Sequence, residues 1–401
     1  MRVIVVGGGV FGWSAAWSLR LRGYETLVFE PGPVPRPEAS STDISKAVRL
    51  DYGANAAYTK LAEAARERWI EWNQKFQEDL YHEVGFLVLT RKPMSFGSFE
   101  YESYQLLTLR GHPLKRVKPD FLRTRFPALA EGVYVDGYLN PHAGWANASR
   151  VVELLCAAAR KAGAGLRAES VESVLESGGR VSGVRTRAGA HFEADAVVVT
   201  AGAWTPRLVP QLGPYLSSVA QPVLYFRAAD MARYRPPCLG VWAADIATTG
   251  WYGFPARSDG TFKVARHDLG YDMDPDAARV PLPQEEETFR AFLAETFPGL
   301  ADAPLIAARL CMYCDTADGN FWIGADPQQR GLVVASGGSG HAFKFAPLVG
   351  DWVASAVEGN PDPATRPFAW RNPRPGQSDQ ARCPQRKGPG PGSLSAAIPL
   401  H

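Results

Sequence analysis

The chain has 401 residues, 46% of them hydrophobic and 21% charged, with a formal net charge of +2. That is enough apolar material for a large core and two domains. The near-neutral charge gives no footing for nucleic acid or an anionic membrane, and no apolar run approaches the roughly 20 residues of a membrane span. Cys156, Cys238, Cys311, Cys314 and Cys383 form an odd set without disulfide-framework spacing, which points to a reducing cytoplasm. The C-x-x-C of Cys311 and Cys314 has no second pair nearby, so no metal is expected.

Residues 2–30, RVIVVGGGVFGWSAAWSLRLRGYETLVFE, open with an apolar strand followed by Gly7, Gly9 and Gly12 in G-x-G-x-x-G spacing. An amphipathic helix, a second strand and Glu30 complete the unit. The spacing predicts a dinucleotide site. Gly7 makes the tight turn, Gly9 lets backbone N–H groups approach a pyrophosphate, and Gly12 lets helix and strand pack closely. The helix N-terminus faces the phosphate charge, and Glu30 offers a carboxylate to both ribose hydroxyls. A secretory leader is the rival reading, but the glycines break its apolar centre and the βαβ pattern runs past any cleavage point.

The Pro-rich stretch 31–43 cannot be regular structure and is expected to cross the surface or a ligand. A helix follows from about Tyr58 to Phe76, then a strand over 83–92 and aromatic-rich irregular sequence. Apolar spacing from Ala148 predicts another helix, and 165–204 reads as a β-meander ending in the buried strand AVVVT. Residues 216–298 alternate strands and loops around one helix at Glu285–Thr296. The run from Gly331 repeats the strand, Gly-rich turn and helix of the N-terminus. The tail, 372–401, is dense in Pro, Gly, Ser and Arg and is expected to be disordered. The fold expected is α/β: a discontinuous Rossmann-like FAD-binding domain (1–82, 145–215 and 299–371) with an antiparallel α+β substrate domain (83–144 and 216–298).

Three separated returns to one sheet favour a flavin over a nicotinamide cofactor. The segments ARLCMYCDTADGNFWIG (308–324) and SGGSGHAFKF (336–345) resemble the sarcosine oxidase and fructosyl amino acid oxidase branch of FAD-dependent amine oxidases. The resemblance covers residues 1 to about 370. It implies that Cys311 is joined through sulfur to the 8α-methyl carbon of FAD, since only a thiolate serves beside that electrophilic carbon. Gly338 and Gly340 admit backbone amides to the ring, and the helix that follows aims its positive end there. Lys344 and, in SKAVRLDYG, Arg49 are implied to clamp the substrate carboxylate, the arginine by a bidentate fork. Lys46 is implied to lie over the ring. Further cofactor contacts are expected at Val10, Val171, Gly202 and His341.

In GTFKVARH, strand alternation puts Lys263 and His267 on one face. The resemblance makes Lys263 the residue where oxygen is reduced, a fixed positive charge lowering that barrier, and sets His267 nearer the substrate. Tyr252 and Tyr313 match walls of the family pocket. The implied activity is hydride transfer from the carbon next to nitrogen of a secondary or N-alkylated amino acid, with O₂ reduced to H₂O₂. The partners are then a small amino-acid-like substrate and O₂, with the chain a monomer or weak homo-oligomer. A dehydrogenase passing electrons to a quinone or protein, and a flavoprotein without turnover, are the rival classes.

Overall fold

The computed structural model describes residues 1–373 and 382–383. Its first sheet runs Trp322–Ala325, Leu332–Ser336, Ala196–Val199, Arg2–Val6, Glu25–Phe29 and Gly165–Arg167. All neighbours are parallel except the antiparallel edge strand Trp322–Ala325. Alternation sorts the core. Val3, Val5, Val198 and Val333 face the helices Val10–Leu21, Ala148–Lys161 and Ala346–Val357. Ile4, Val6, Val197 and Val199 face the meander Val171–Ser177, Arg180–Thr186 and His191–Glu193. A parallel sheet covered on both faces explains why these strands read as unbroken apolar runs.

The second sheet has nine strands and is mostly antiparallel. Its longest pairing sets Leu216–Arg227 against Leu305–Thr316, with Cys311 opposite Gln221 and Tyr313 opposite Val219. Thr261–Arg266 lies along the opposite edge of the same strand at 223–227, with Lys263 opposite Tyr225. A small sheet of Lys46–Val48, Gly144–Ala146 and Tyr81–His82 sits apart from both large ones.

Three features depart from the sequence expectations. The strand bearing Cys311 belongs to the second sheet, whereas 299–371 reads in sequence as a return to the first. Two helices, Phe99–Leu109 and Pro119–Arg125, occupy sequence read as irregular. The first has a conventional start: the Ser98 hydroxyl accepts from Tyr101 N–H at 3.3 Å, and Glu100 and Glu102 stand in its first turn, where acids complement the helix dipole. The expected disorder of the tail falls outside the described residues for 374–381 and 384–401. Arg382 and Cys383 are described and do not fit it, because Cys383 is fully buried. No helix among the described residues is long and apolar enough to cross a membrane.

Candidate active site

A cleft of about 490 Å³ opens at the carboxyl ends of the parallel strands. Gly7, Gly9, Val10, Glu30, Val171 and Gly202 line one part of it, and Lys46, Tyr313, Gly338, Gly340 and His341 another. Close approach explains the glycines. A Cβ on Gly7 would lie 2.7 Å from Thr200 O, and one on Gly12 only 1.8 Å from Gly7 O, so Gly12 serves the packing of helix on strand and does not line the cleft. Gly340, at φ +75°, sits under Tyr313, whose ring a Cβ would meet at 2.3 Å. Glu30 is buried at the end of its strand and accepts from Gly8 N–H at 2.8 Å. Arg36, Ala39, Ser40 and Ser41 of the Pro-rich loop also line the cleft. Glycine cradle, helix N-terminus and acid together fit FAD.

Cys311 and Lys344 stand behind this wall. Cys311 is 1% exposed, and its Sγ lies 3.6 Å from Lys46 Nζ. Lys46 in turn is 3.3 Å from Asp43, whose carboxylate also takes Lys263 Nζ at 2.7 Å and the Tyr225 hydroxyl at 2.8 Å. Burial pushes the Asp43 carboxyl up, but Lys263 and Lys46 overrule it and hold the group well below the usual carboxylate range. For Lys263, burial outweighs the attraction of Asp43 and lowers the ammonium to about 8. Lys46 moves the other way: burial opposes its charge, and Cys311 and Asp43 more than compensate. Lys263 gives a second N–H to Ser45 O at 2.6 Å. Asp43, which binds Lys46, Lys263 and Tyr225, escapes the sequence reading, where an acid in a Pro- and Ser-rich loop carries no signal.

The other expected side chains meet in a second cluster. Lys344 lies in the 3₁₀ turn Phe343–Phe345 ahead of Ala346–Val357, and its Nζ donates to the Tyr52 hydroxyl at 3.0 Å and His341 O at 2.6 Å. Arg49 stacks over the ring of the same Tyr52 at 5.0 Å. His341 Nε2 lies 3.1 Å from Gly319 O and must donate to it; Nδ1 then accepts from Tyr52, 3.0 Å away. Tyr52, also missed, thus orders the protons between Lys344 and His341. Burial, with Arg49 second, pushes the Lys344 ammonium well below its usual range, Asp51 opposing. His267 is likewise held well below 6.5, first by burial and then by Arg382, Arg49 and Lys344, so its imidazole is neutral. Its ring centroid is 6.3 Å from that of Tyr313, and Tyr313 is hydrogen-bonded to Tyr252. Burial raises both phenols.

A nucleotide cleft at the carboxyl ends of a parallel sheet, with the Lys46 side chain in its lining, fits a dinucleotide-dependent oxidoreductase. The chain belongs to the FAD-dependent oxidoreductase family, which matches residues 2–356. It is 28% identical over 357 residues to monomeric sarcosine oxidase of Bacillus sp. (strain B-0618), covering 87% of this chain and 90% of that protein. It is also 28% identical over 404 residues to L-saccharopine oxidase of Schizosaccharomyces pombe (89% and 90%). Among solved structures it is similar to fructosyl amine:oxygen oxidoreductase (Amadoriase I) of Aspergillus fumigatus, with a TM-score of 0.77, 26% identity, and coverage of 92% and 89%.

Replacing Asp43 by alanine leaves the Lys263 charge buried without its partner. Loss of one member of such a pair costs about 3–5 kcal/mol, so urea unfolding of the flavin-loaded D43A protein should show stability lower by that order, whereas an unchanged midpoint would refute the central role of this carboxylate.

Proposed function

We propose that the protein is a flavin-dependent oxidase of secondary or N-alkylated amino acids. The observation that carries this reading is that Arg49 and Lys344 both pack on Tyr52 and both act electrostatically on neutral His267, whose ring neighbours the cleft-lining Tyr313. Lys344 spends two of its three N–H groups on Tyr52 and His341 O, leaving one for an anion. Arg49 gives one N–H to Asp51 O and keeps the rest of its fork. A carboxylate bound between them is both charge-matched and oriented, and that orientation directs the C–H beside the substrate nitrogen toward the cleft. No side chain is required as base when the amine enters neutral.

FAD in this cleft would accept the hydride and pass two electrons to O₂, giving H₂O₂, while the imine product is hydrolysed by water. Lys263 and Lys46 keep positive charge where oxygen gains electrons. We assign Cys311 as the covalent anchor on the ground of its place: it is on the same strand as the cleft-lining Tyr313, and Lys46 bridges it to the cleft. Forming the thioether removes the thiol proton, one methyl hydrogen and two electrons, the electrons going to O₂. The free cysteines, five among the described residues, suit a reducing, cytoplasmic setting.

An H₂O₂ assay across secondary, N-methylated and glycated amino acids should give turnover with at least one of them. Arg49→Gln should raise KM by about 10–100-fold, the worth of charge-assisted hydrogen bonds. Bleaching of the flavin without H₂O₂ would instead identify a dehydrogenase. Acid precipitation should leave a yellow pellet from the natural protein and a colourless one from Cys311→Ser; a colourless pellet from both refutes the thioether. The oxygen step should also depend on pH. Lys263 is charged below about 8 and neutral above it, so reoxidation by O₂, followed by stopped flow, should slow as pH rises through 8. Lys263→Met should be slow, by about 100-fold or more, at every pH; a variant that keeps the natural profile would remove Lys263 from this step.

A further inference from the structure

Arg382 and Cys383 lie beyond residue 356, where the match to the family ends, yet both are packed beside His267. Cys383 N–H donates to His267 O at 3.0 Å and its thiol donates to Thr248 O at 2.9 Å. Arg382 bridges two elements: Nη2 lies 2.6 Å from Asp315 Oδ2, and Nε donates to Asp268 O at 2.8 Å. Asp315 is two residues past Tyr313 on the strand Leu305–Thr316, so alternation sets both side chains on one face. Asp268 directly follows His267. The guanidinium therefore ties Asp315, two residues after Tyr313, to Asp268, the residue after His267. Its field reaches His267 and Tyr313 as well. After burial, Arg382 is the strongest influence holding His267 below its usual range, ahead of Arg49 and Lys344, and it also acts on Tyr313. The side chain is only 12% exposed and its partner Asp315 9%, which fixes both in place.

We propose that Arg382, held by Asp315, is a specificity-determining residue that walls the substrate chamber beside His267 and limits the bulk a bound carboxylic acid can carry there. The proposal rests on the carboxylate chamber described above, though not on oxidase turnover. Neither Arg49 nor Lys344 can set this limit, because they grip the acid end. A planar guanidinium locked between a strand and a turn cannot swing aside as a free surface arginine does, so the chamber is closed at that point by a charge pair rather than by an apolar side chain that could repack.

Equilibrium binding of acetate and of indole-3-acetate to the full-length, flavin-loaded protein, read from the absorbance change of the bound flavin, tests this. Arg382→Ala should favour the bulky acid over the small one by about tenfold or more relative to the natural protein, the discrimination that a lost pocket contact carries. Because this variant leaves Asp315 buried and unpaired, the double variant R382A/D315N carries the same expectation, and Arg382→Lys should give an intermediate ratio. An unchanged ratio in the variants overturns the proposal. So does failure of all three to retain flavin, which would make Arg382 a folding residue, and so does the absence of any response to either acid in the natural protein. H₂O₂ formation is measured separately: a shifted binding ratio without H₂O₂ removes the oxidase reading and leaves Arg382 as the wall.

Discussion

A carboxylate with no exposed side-chain surface, Asp43, ties the site together. Moving such a charge out of water is expensive, and only close, well-placed partners make it tolerable. Those partners come from widely separated parts of the chain: Lys263 and Tyr225 from adjacent strands of the second sheet, and Lys46 from the start of the small sheet. The same loop is gripped along its backbone, because Arg257 donates to Ile44 O and Arg309 to Thr42 O. A Pro- and Ser-rich segment whose own backbone bonds are few, Ala39 N–H to Arg36 O and Thr42 N–H to Ala39 O among them, is thereby tied to the second sheet along the wall of the cleft. Any movement of the second sheet relative to this loop must stretch the pair, so the nucleotide cleft and the substrate chamber keep their spacing.

The chamber carries the opposite imbalance. Arg49 and Lys344 both act on His267, and Arg382 adds its field there. Burial first, with Arg49 second, holds the Lys344 ammonium well below its usual range. An acid bound between Arg49 and Lys344, as proposed, would oppose that shift by supplying a negative charge and a hydrogen-bond acceptor. The proposed preference for a carboxylate follows from this surplus of positive charge. Asp43 supplies the negative charge permanently for Lys263 and Lys46, which need no substrate to stay in place.

The N-terminal unit was legible because each of its residues answers to a local rule. Gly7, Gly9 and Gly12 are demanded by backbone contacts that any Cβ would violate, and the apolar strands read as buried on both faces because they are. Lys46, Arg49, Cys311, Tyr313 and Lys344 are singled out only by the resemblance to a family, since no periodicity marks them. Asp43, Tyr52 and Arg382 had no signal of either kind. Each acts through partners dozens to hundreds of residues away, and such pairings exist only once the sheets have formed. The helix Phe99–Leu109 escaped for a different reason. Its aromatic residues lower helix propensity, and the Ser98 cap with its two following acids was the cue that outweighed them.

The strand Leu305–Thr316 shows why the chemistry falls where the two sheets meet. It pairs along its length with Leu216–Arg227 in the second sheet, and the chain then turns directly into Trp322–Ala325 at the edge of the first. Alternation along it sends Cys311 and Tyr313 to one face, beside Val219, Val223 and Tyr225, and Met312 to the other, beside Leu310 and Ala220. A register slip of one residue would exchange these faces, placing Met312 and Cys314 where Cys311 and Tyr313 now stand. Cys314 could not replace Cys311 chemically, because burial raises its thiol to about 11 and no lysine ammonium stands beside its sulfur among the described residues. The long ladder to Leu216–Arg227 therefore does more than extend a sheet. It fixes which of two cysteines, three residues apart, is presented to Lys46.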